Sequence, residues 1–242
     1  ARHMDWWKKF APAVDFLSPD IYLPDFETVC REYAAPGNPL FIPEARPSQD
    51  SASNVFAAIG KFGALGFSPF AIETVGREGV PPDPSLLGGL NIMAEAFNHH
   101  LAGEYLAQSY ALLGGMAELL CKYRCTPHMT GFTRGKDQAG TLVQFEKYDF
   151  CIDYMMNSAE SPKGGGLIIE LSEDEFLLCG LNYRVTPQPK NDDPSHVDYI
   201  SITEGRYENN EWISGRRLNG DELRILFREK PSVLHCRLMR FR

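Results

Sequence analysis

The chain has 242 residues, which is enough for one large domain or two of medium size. Hydrophobic residues make up 43% of it and charged residues 23%, a balance that supports a packed core and excludes a wholly disordered chain. The formal net charge of −8 argues against nucleic acid as a partner, because surfaces that bind nucleic acid are basic. The most apolar region is interrupted by charged residues, so we expect no membrane-spanning segment and no membrane partner.

The first half of the chain alternates short apolar runs with helical patterns. Residues 20–23 predict a strand, and the apolar spacing over residues 24–33 predicts a helix after it. A second strand is expected at residues 40–42, a second helix at residues 50–62 and a third strand at residues 64–70. This order, with short connections, predicts a parallel sheet, as in a doubly wound fold or an eight-stranded β/α barrel.

The loops after these strands carry no glycine-rich phosphate-binding sequence, which disfavours a nucleotide-binding fold. Further along, residues 90–123 predict a largely helical stretch. We expect a break in it near Gly103 or near Gly114 and Gly115, because glycine weakens a helix interior.

After residue 125 the periodicity changes from helical to two. Strand-like patterns occur at residues 142–145, 148–152, 167–171, 176–179, 200–203, 223–227 and 234–238. Residues 172–174 and 208–210 have the composition of turns. The pattern predicts an antiparallel β-sandwich of about eight strands, with the first domain at residues 1–125 and the sandwich at residues 126–242.

Glu44 is the first candidate for chemistry. It closes the second predicted strand, and active sites of β/α barrels and of open parallel sheets form at the carboxyl ends of their strands. A solvated loop carboxylate is the alternative. Arg46 is expected on the same side and would favour the ionised form of Glu44 that a nucleophile needs. Tyr22 ends the preceding strand and can donate its hydroxyl to that carboxylate, although half-buried packing is the commoner role for such a tyrosine.

Ser68 and Glu73, at and after the third strand, are further candidates for lining a sugar pocket, with solvent exposure as the alternative for Glu73. Cys121 and Cys125 have i, i+4 spacing, but no second pair completes a set of metal ligands, so we expect two buried thiols. No metal and no cofactor is expected. A serine hydrolase on a parallel sheet is disfavoured, because the sequence has no Gly-x-Ser-x-Gly.

Three segments occur in the order DIYLPDF (residues 20–26), NPLFIPEA (residues 38–45) and GALGFSPF (residues 63–70). In this order they resemble the last three barrel strands of bacterial β-galactosidases of glycoside hydrolase family 35. The later part is similar to the β-sandwich domain that follows the barrel in one branch of that family, notably EGRY at residues 204–207 and, with Trp212, GRRLNGD at residues 215–221. The resemblance covers nearly the whole chain.

The resemblance implies the C-terminal part of a (β/α)8 TIM barrel, about strands six to eight, followed by a β-sandwich. It implies a retaining, β-galactosidase-like hydrolase in which Glu44 is the nucleophile and the substrate is a β-galactoside or an oligosaccharide. The acid/base of the family is a glutamate preceded by Asn at the end of the fourth barrel strand, and no such strand end occurs here. The acid/base is therefore expected on an N-terminal part outside this chain.

Three barrel strands would leave an open barrel edge, so the expected partner is the N-terminal part of the same enzyme or another copy of the chain. A non-catalytic carbohydrate-binding or interaction fragment, in which the sandwich binds the ligand, is the alternative from a different class. The compartment stays open, because a periplasmic or secreted location is as compatible with the resemblance to bacterial enzymes as a cytoplasmic one.

Overall fold

A computed structural model describes residues 3–23, 25–73, 75, 101–156, 158, 160–190, 193 and 195–242. Within these ranges the chain is mixed α/β, with helices and a short parallel strand pair first and antiparallel sheets after them. None of the helices in the described ranges is long and apolar enough to cross a membrane.

The described ranges contain five α-helices, the first of which was not predicted. They are α1 (Met4–Phe10), α2 (Phe26–Tyr33), α3 (Ser51–Gly60), α4 (Ala102–Gly115) and α5 (Ala117–Tyr123). On α2 the buried residues are Phe26 and Cys30, one helical turn apart. The predicted break in the long helical stretch falls at Met116, which is fully buried and has non-helical backbone angles. The part of that prediction at residues 90–100 lies outside the described residues.

Ten antiparallel strands follow in the described part of the chain. They are β3 (Met129–Thr133), β4 (Gly140–Gln144), β5 (Tyr148–Tyr154), β6 (Gly165–Ser172), β7 (Glu175–Leu181), β8 (Tyr183–Pro189), β9 (His196–Glu208), β10 (Glu211–Arg217), β11 (Leu226–Phe227) and β12 (Ser232–Phe241). One sheet has the order β10-β9-β12-β7-β6-β3, and the other has the order β11-β8-β5-β4.

The six-stranded sheet is covered on both faces, which gives the chain two cores. Ile168 and Leu178 belong to the core between the two antiparallel sheets, whereas Leu167 and Leu177 belong to the core under the helices. This alternation follows from the period of two, which sends neighbouring side chains of a strand to opposite faces. Three layers result: helices with the parallel strands, then the six-stranded sheet, then the four-stranded sheet.

The parallel part of the chain is small. β1 (Asp20–Ile21) pairs with β2 (Glu44–Ala45), and a single parallel bridge joins Ile42 to Phe67. Backbone hydrogen bonds extend this contact, since the amide of Ser68 donates to the carbonyl of Ile42 at 2.9 Å. Three short parallel segments therefore lie side by side in the order that the sequence predicts. The paired part of each segment is shorter than the strand predicted for it. The TIM-barrel part of the predicted fold is not shown by these segments.

Several local predictions are confirmed and several are wrong. The hairpin over residues 167–179 is β6 and β7, and the turn at residues 208–210 joins β9 to β10. The sandwich was predicted to have about eight strands, with seven of them located; the described residues contain ten, because β3, β8 and β10 were not located. Cys121 and Cys125 are exposed, not buried: Cys121 lies in the last turn of α5 and Cys125 in the turn that follows it.

The proline residues of β8 explain why its sequence does not resemble a strand. Pro187 and Pro189 pair with β5, but β11 reaches only Tyr183 and Arg184 on the other side. Proline has no N–H to donate and is tolerated in a strand where one side is open. The end of β8 that carries both prolines is such an edge.

Glycines allow α3 to approach the six-stranded sheet. A Cβ added at Gly131 of β3 would lie 2.2 Å from the carbonyl oxygen of Phe56 on α3, and a Cβ at Gly60 would lie 2.8 Å from the amide nitrogen of Gly131. A Cβ at Gly165, at the start of β6, would lie 2.8 Å from Cβ of Ser53. The helix backbone therefore contacts the sheet backbone directly, which fixes α3 relative to the sandwich.

Replacing Gly131 with Ala tests this packing. We expect Gly131→Ala to lower the free energy of unfolding by about 1–3 kcal/mol, because two backbones must separate. Gly114→Ala is the matched control, since a Cβ there meets nothing within 4 Å and alanine favours the helix by up to about 1 kcal/mol. Equilibrium unfolding in urea measures both variants. Equal stability of Gly131→Ala and the wild type would contradict the packing of α3 on β3.

Candidate functional site

The parallel strand pair brings two predicted site residues to one face. In β1 and β2, Asp20 lies opposite Glu44 and Ile21 lies opposite Ala45. Ile21 and Ala45 are buried in the core under the helices. Since successive side chains of a strand point to opposite faces, Asp20 and Glu44 point away from that core. Tyr22, which directly follows β1, continues the alternation onto the same face as Glu44.

Tyr22 and Glu44 are joined by a short hydrogen bond. The phenol hydroxyl of Tyr22 donates to Oε1 of Glu44 at 2.5 Å, and both side chains are half-buried. Burial raises the pKa of Tyr22 above its usual value, and the hydrogen bond to Glu44 raises it further. The phenol therefore keeps its proton at neutral pH and remains the donor. One oxygen of Glu44 is held in place while the other has no hydrogen bond within the described part of the chain.

Arg46 lies on the same strand face as Glu44. Its backbone amide donates to the carbonyl of Ile21 at 2.9 Å, so the parallel pairing continues one residue beyond β2. The alternation of the strand then puts the side chains of Glu44 and Arg46 on one side. The structure thus assembles Tyr22, Glu44 and Arg46 where two neighbouring strands end.

Ser68 and Glu73 are less closely connected to this group. Ser68 is half-buried beside the second segment, and its hydroxyl donates to the carbonyl of Pro69 at 3.2 Å. Glu73 is exposed, and no hydrogen bond between described residues links it to the other candidates. The structure therefore brings together three of the five predicted site residues and leaves Glu73 at the surface.

A cavity of about 570 Å³ opens next to Tyr22. Its walls come from the ends of the parallel strands, from the start of α3, from the turn between β3 and β4, and from the segment before β6. The lining residues are Ile21, Tyr22, Leu23, Phe26, Ala45, Arg46, Ser48, Gln49, Asp50, Asn54, Arg134, Gly135, Lys136, Asp137 and Lys163. The volume lies within the range of about 300–1,000 Å³ that is typical of ligand sites. Both the parallel segments and the sandwich contribute to this cavity, which Tyr22 connects to Glu44.

Lys163 is positioned by hydrogen bonds to its backbone. Its amide donates to Oδ1 of Asp50 at 3.0 Å, and its carbonyl accepts a hydrogen bond from the hydroxyl of Ser53. The run of glycines at residues 164–166 lets the chain pass close to α3 just after Lys163. The segment before β6 is thereby attached to the start of α3, and the lysine side chain faces the cavity.

The ammonium group of Lys163 is poorly solvated. Burial lowers the pKa of Lys163, and the nearby charges of Asp50 and Glu27 oppose this effect only in part. No carboxylate of the described residues lies within ion-pair distance of its Nζ. A desolvated cation without an ion-pair partner destabilises the fold, because burial disfavours the charged form.

Sequence reasoning missed this cavity. Lys163 is 113 residues from Asp50 and 110 from Ser53 along the chain, and nothing in the local pattern indicates that they meet. One signal was available: three consecutive glycines before a strand indicate that another backbone or a ligand approaches closely. That signal locates a close approach but does not identify its partner.

Replacing Lys163 with Met tests the cost of the buried ammonium. Because folding lowers the pKa of Lys163, the cost is full below the folded-state pKa and disappears as the pH rises towards the unfolded-state value. We expect Lys163→Met to raise the midpoint of urea unfolding at about pH 7 and to raise it less at about pH 10. A lower midpoint than that of the wild type at neutral pH would contradict this account.

A family model described as "Domain of unknown function (DUF5597)" matches residues 106–228. The match covers just over half of the 242 residues and extends from α4 through β11. It includes Arg134, Lys136, Asp137 and Lys163 of the cavity wall but not Glu44. No curated protein matches the chain.

Proposed function

We propose that this chain, which belongs to the DUF5597 family, is the nucleophile-bearing part of a retaining glycoside hydrolase that cleaves terminal β-galactosides. The proposal rests mainly on the hydrogen bond of 2.5 Å between Tyr22 and Glu44 where two parallel strands end. The resemblance of residues 20–26, 38–45 and 63–70 to the last barrel strands of family 35 β-galactosidases supports it.

In the proposed reaction, the free oxygen of Glu44 attacks the anomeric carbon of the galactosyl unit. The bond from that carbon to the aglycone oxygen breaks, and a carboxylic acid outside this chain gives its proton to the leaving oxygen. Water then attacks the anomeric carbon of the glycosyl-enzyme while the same group, now a carboxylate, accepts the proton of the water. Glu44 is released as a carboxylate, and the configuration of the sugar is retained.

Tyr22 acts as a positioning residue in this proposal. Its hydroxyl fixes Oε1 of Glu44 and leaves the other oxygen free to attack, which reduces the number of unproductive orientations of the carboxylate. Its raised pKa keeps it a donor over the range in which a glycosidase works. Arg46 lies on the same face and supplies positive charge on the side of the reacting carboxylate of Glu44.

The missing acid is expected on further β/α units of the same enzyme that pair with β1. Among the described residues β1 pairs with β2 alone, so no described strand covers its other edge. Large apolar side chains before and after β1 in the chain are also exposed: Trp6 is 67% exposed, Phe10 is 70% exposed and Leu23 is 71% exposed. An uncovered parallel edge and large exposed apolar side chains are features that another sheet can cover. Completion of a TIM barrel by the N-terminal part of the enzyme satisfies both features.

A carbohydrate-binding fragment without catalysis is the second candidate. One observation favours it: the cavity is built partly by the sandwich, and Glu44 is not in its wall. In that case the cavity would bind a saccharide and Glu44 would have no part in chemistry. The effect of substituting Glu44 on turnover separates the two candidates.

Replacing Glu44 with Gln tests the proposed nucleophile. In the full enzyme that contains this chain, we expect Glu44→Gln to lower kcat on an aryl β-galactoside by about 10⁴-fold or more, because an amide cannot form the glycosyl-enzyme. The urea midpoint should change little. Glu211→Gln, at an exposed position of β10, is the control and should keep wild-type kcat. Wild-type turnover of Glu44→Gln would overturn the proposal.

Replacing Tyr22 with Phe tests the positioning role. We expect kcat to fall by about 10²-fold with little change in KM, because the hydroxyl orients Glu44 and the ring still packs in place. Steady-state kinetics on the same aryl galactoside measure both parameters. A rise in KM at unchanged kcat would show that Tyr22 binds the sugar and does not position the carboxylate.

The partner proposal predicts association in solution. This chain has a mass of 27.2 kDa, and sedimentation should give a larger mass, or a 1:1 complex when the N-terminal part of the enzyme is added. The reason is that pairing at the uncovered edge of β1 satisfies backbone groups that no described strand pairs with. A stable monomer that does not bind the N-terminal part would contradict barrel completion.

A further inference from the structure

The cavity beside Tyr22 is positively charged in an acidic protein. Four cationic side chains line it, against two carboxylates, whereas the whole chain has a formal net charge of −8. The cations are Arg46, Arg134, Lys136 and Lys163, and the carboxylates are Asp50 and Asp137. Hydrolysis of a neutral galactoside does not require this excess. A concave site lined by one sign of charge concentrates ligands of the opposite sign.

Arg134 is fixed in orientation by backbone carbonyls. Its Nε donates to the carbonyl of Gln138 at 3.1 Å, and its Nη1 donates to the carbonyl of Met155 at 3.1 Å. Neither partner neutralises its charge, and no ion pair joins Arg134 to a carboxylate of the described residues. A guanidinium held in this way has donors left for a planar anionic group.

Lys163 supplies a second cation that is not neutralised. Its backbone is fixed to Asp50 and Ser53, while its ammonium group lacks an ion pair within the described residues. Burial lowers the pKa of Lys163. It also strengthens the electrostatic attraction between the ammonium group and an incoming anion, compared with an exposed lysine, because both charges are screened less. Lys136, exposed in the turn between β3 and β4, adds charge at the rim.

We propose that this cavity binds an anionic group, a carboxylate or a sulfate, on the aglycone side of the substrate, so that the substrate class is anionic β-galactosides. This inference rests on the proposed function, because the galactosyl unit is placed at Glu44 and the aglycone next to Tyr22. The anionic group contacts Lys163 and Arg134, which both come from the part of the chain that follows the helices. The sandwich therefore contributes to substrate selection as well as to stability.

Two matched ligands test the proposal. Lactobionate and lactitol both carry a β-1,4-linked galactosyl unit on an open-chain aglycone, but only lactobionate has a carboxylate. With the full enzyme that contains this chain, in its Glu44→Gln form so that neither ligand is hydrolysed, calorimetry in about 0.05 M NaCl should show that lactobionate binds about tenfold more tightly than lactitol. About 0.5 M NaCl should reduce the preference, because salt screens the contact of the carboxylate with the cavity.

Three variants locate the effect. Lys163→Met should reduce the preference for lactobionate to about twofold or less, and Lys136→Met should reduce it by a smaller factor, because Lys136 is exposed. Lys230→Met, at an exposed position outside the cavity wall, is the control and should keep the full preference. Equal affinity for both ligands, binding of neither, or a preference that survives Lys163→Met would overturn the inference.

The binding test and the turnover test can fail separately. Loss of turnover in Glu44→Gln together with equal affinities for lactobionate and lactitol would support the glycosidase proposal and contradict the anionic substrate class. The opposite result is a preference for lactobionate that depends on Lys163 while turnover survives Glu44→Gln. It would support the anion site and contradict the assignment of Glu44 as the nucleophile.

Discussion

The direct contact between α3 and the six-stranded sheet is the constraint on which the rest of the structure depends. Glycines at positions 60, 131 and 165 remove the side chains that would keep the two backbones apart. Because α3 follows β2 by a short connection, the same contact fixes the end of the strand that carries Glu44 relative to the sandwich. The cavity exists because a strand end, a helix start and two sandwich loops meet at this contact.

The cavity combines groups that cost stability with groups that support chemistry. Lys163 is kept with a desolvated ammonium group, although burial disfavours its charged form. Tyr22 and Glu44 form a polar pair where the strands end, on the face opposite the apolar core. Proteins accept such costs where a ligand or a reaction needs the group, and both Lys163 and Tyr22 line the same cavity. This juxtaposition connects the proposed nucleophile with the proposed anion site.

Local pattern predicted much of the fold. The hairpin of β6 and β7 was predictable because alternation of period two continues on both sides of a polar turn, and α2 was predictable from its buried Phe26 and Cys30. β8 was not, because Pro187 and Pro189 are unusual in strands and are tolerated only at the open edge that the tertiary fold creates. Tyr22 and Glu44 were predictable as a pair, because parallel strands end at one edge of a sheet. The approach of Lys163 to α3 spans more than 100 residues, so no local pattern contains it.

The central claim is that Glu44 forms a covalent bond to the sugar. The most direct test is to incubate the full enzyme that contains this chain with a 2-deoxy-2-fluoro-galactosyl inactivator whose leaving group needs no acid, and to locate the label by peptide mass spectrometry. The account predicts one fluorogalactosyl group on the peptide that carries Glu44. A label on a different carboxylate, or no label on an enzyme that hydrolyses β-galactosides, would contradict it.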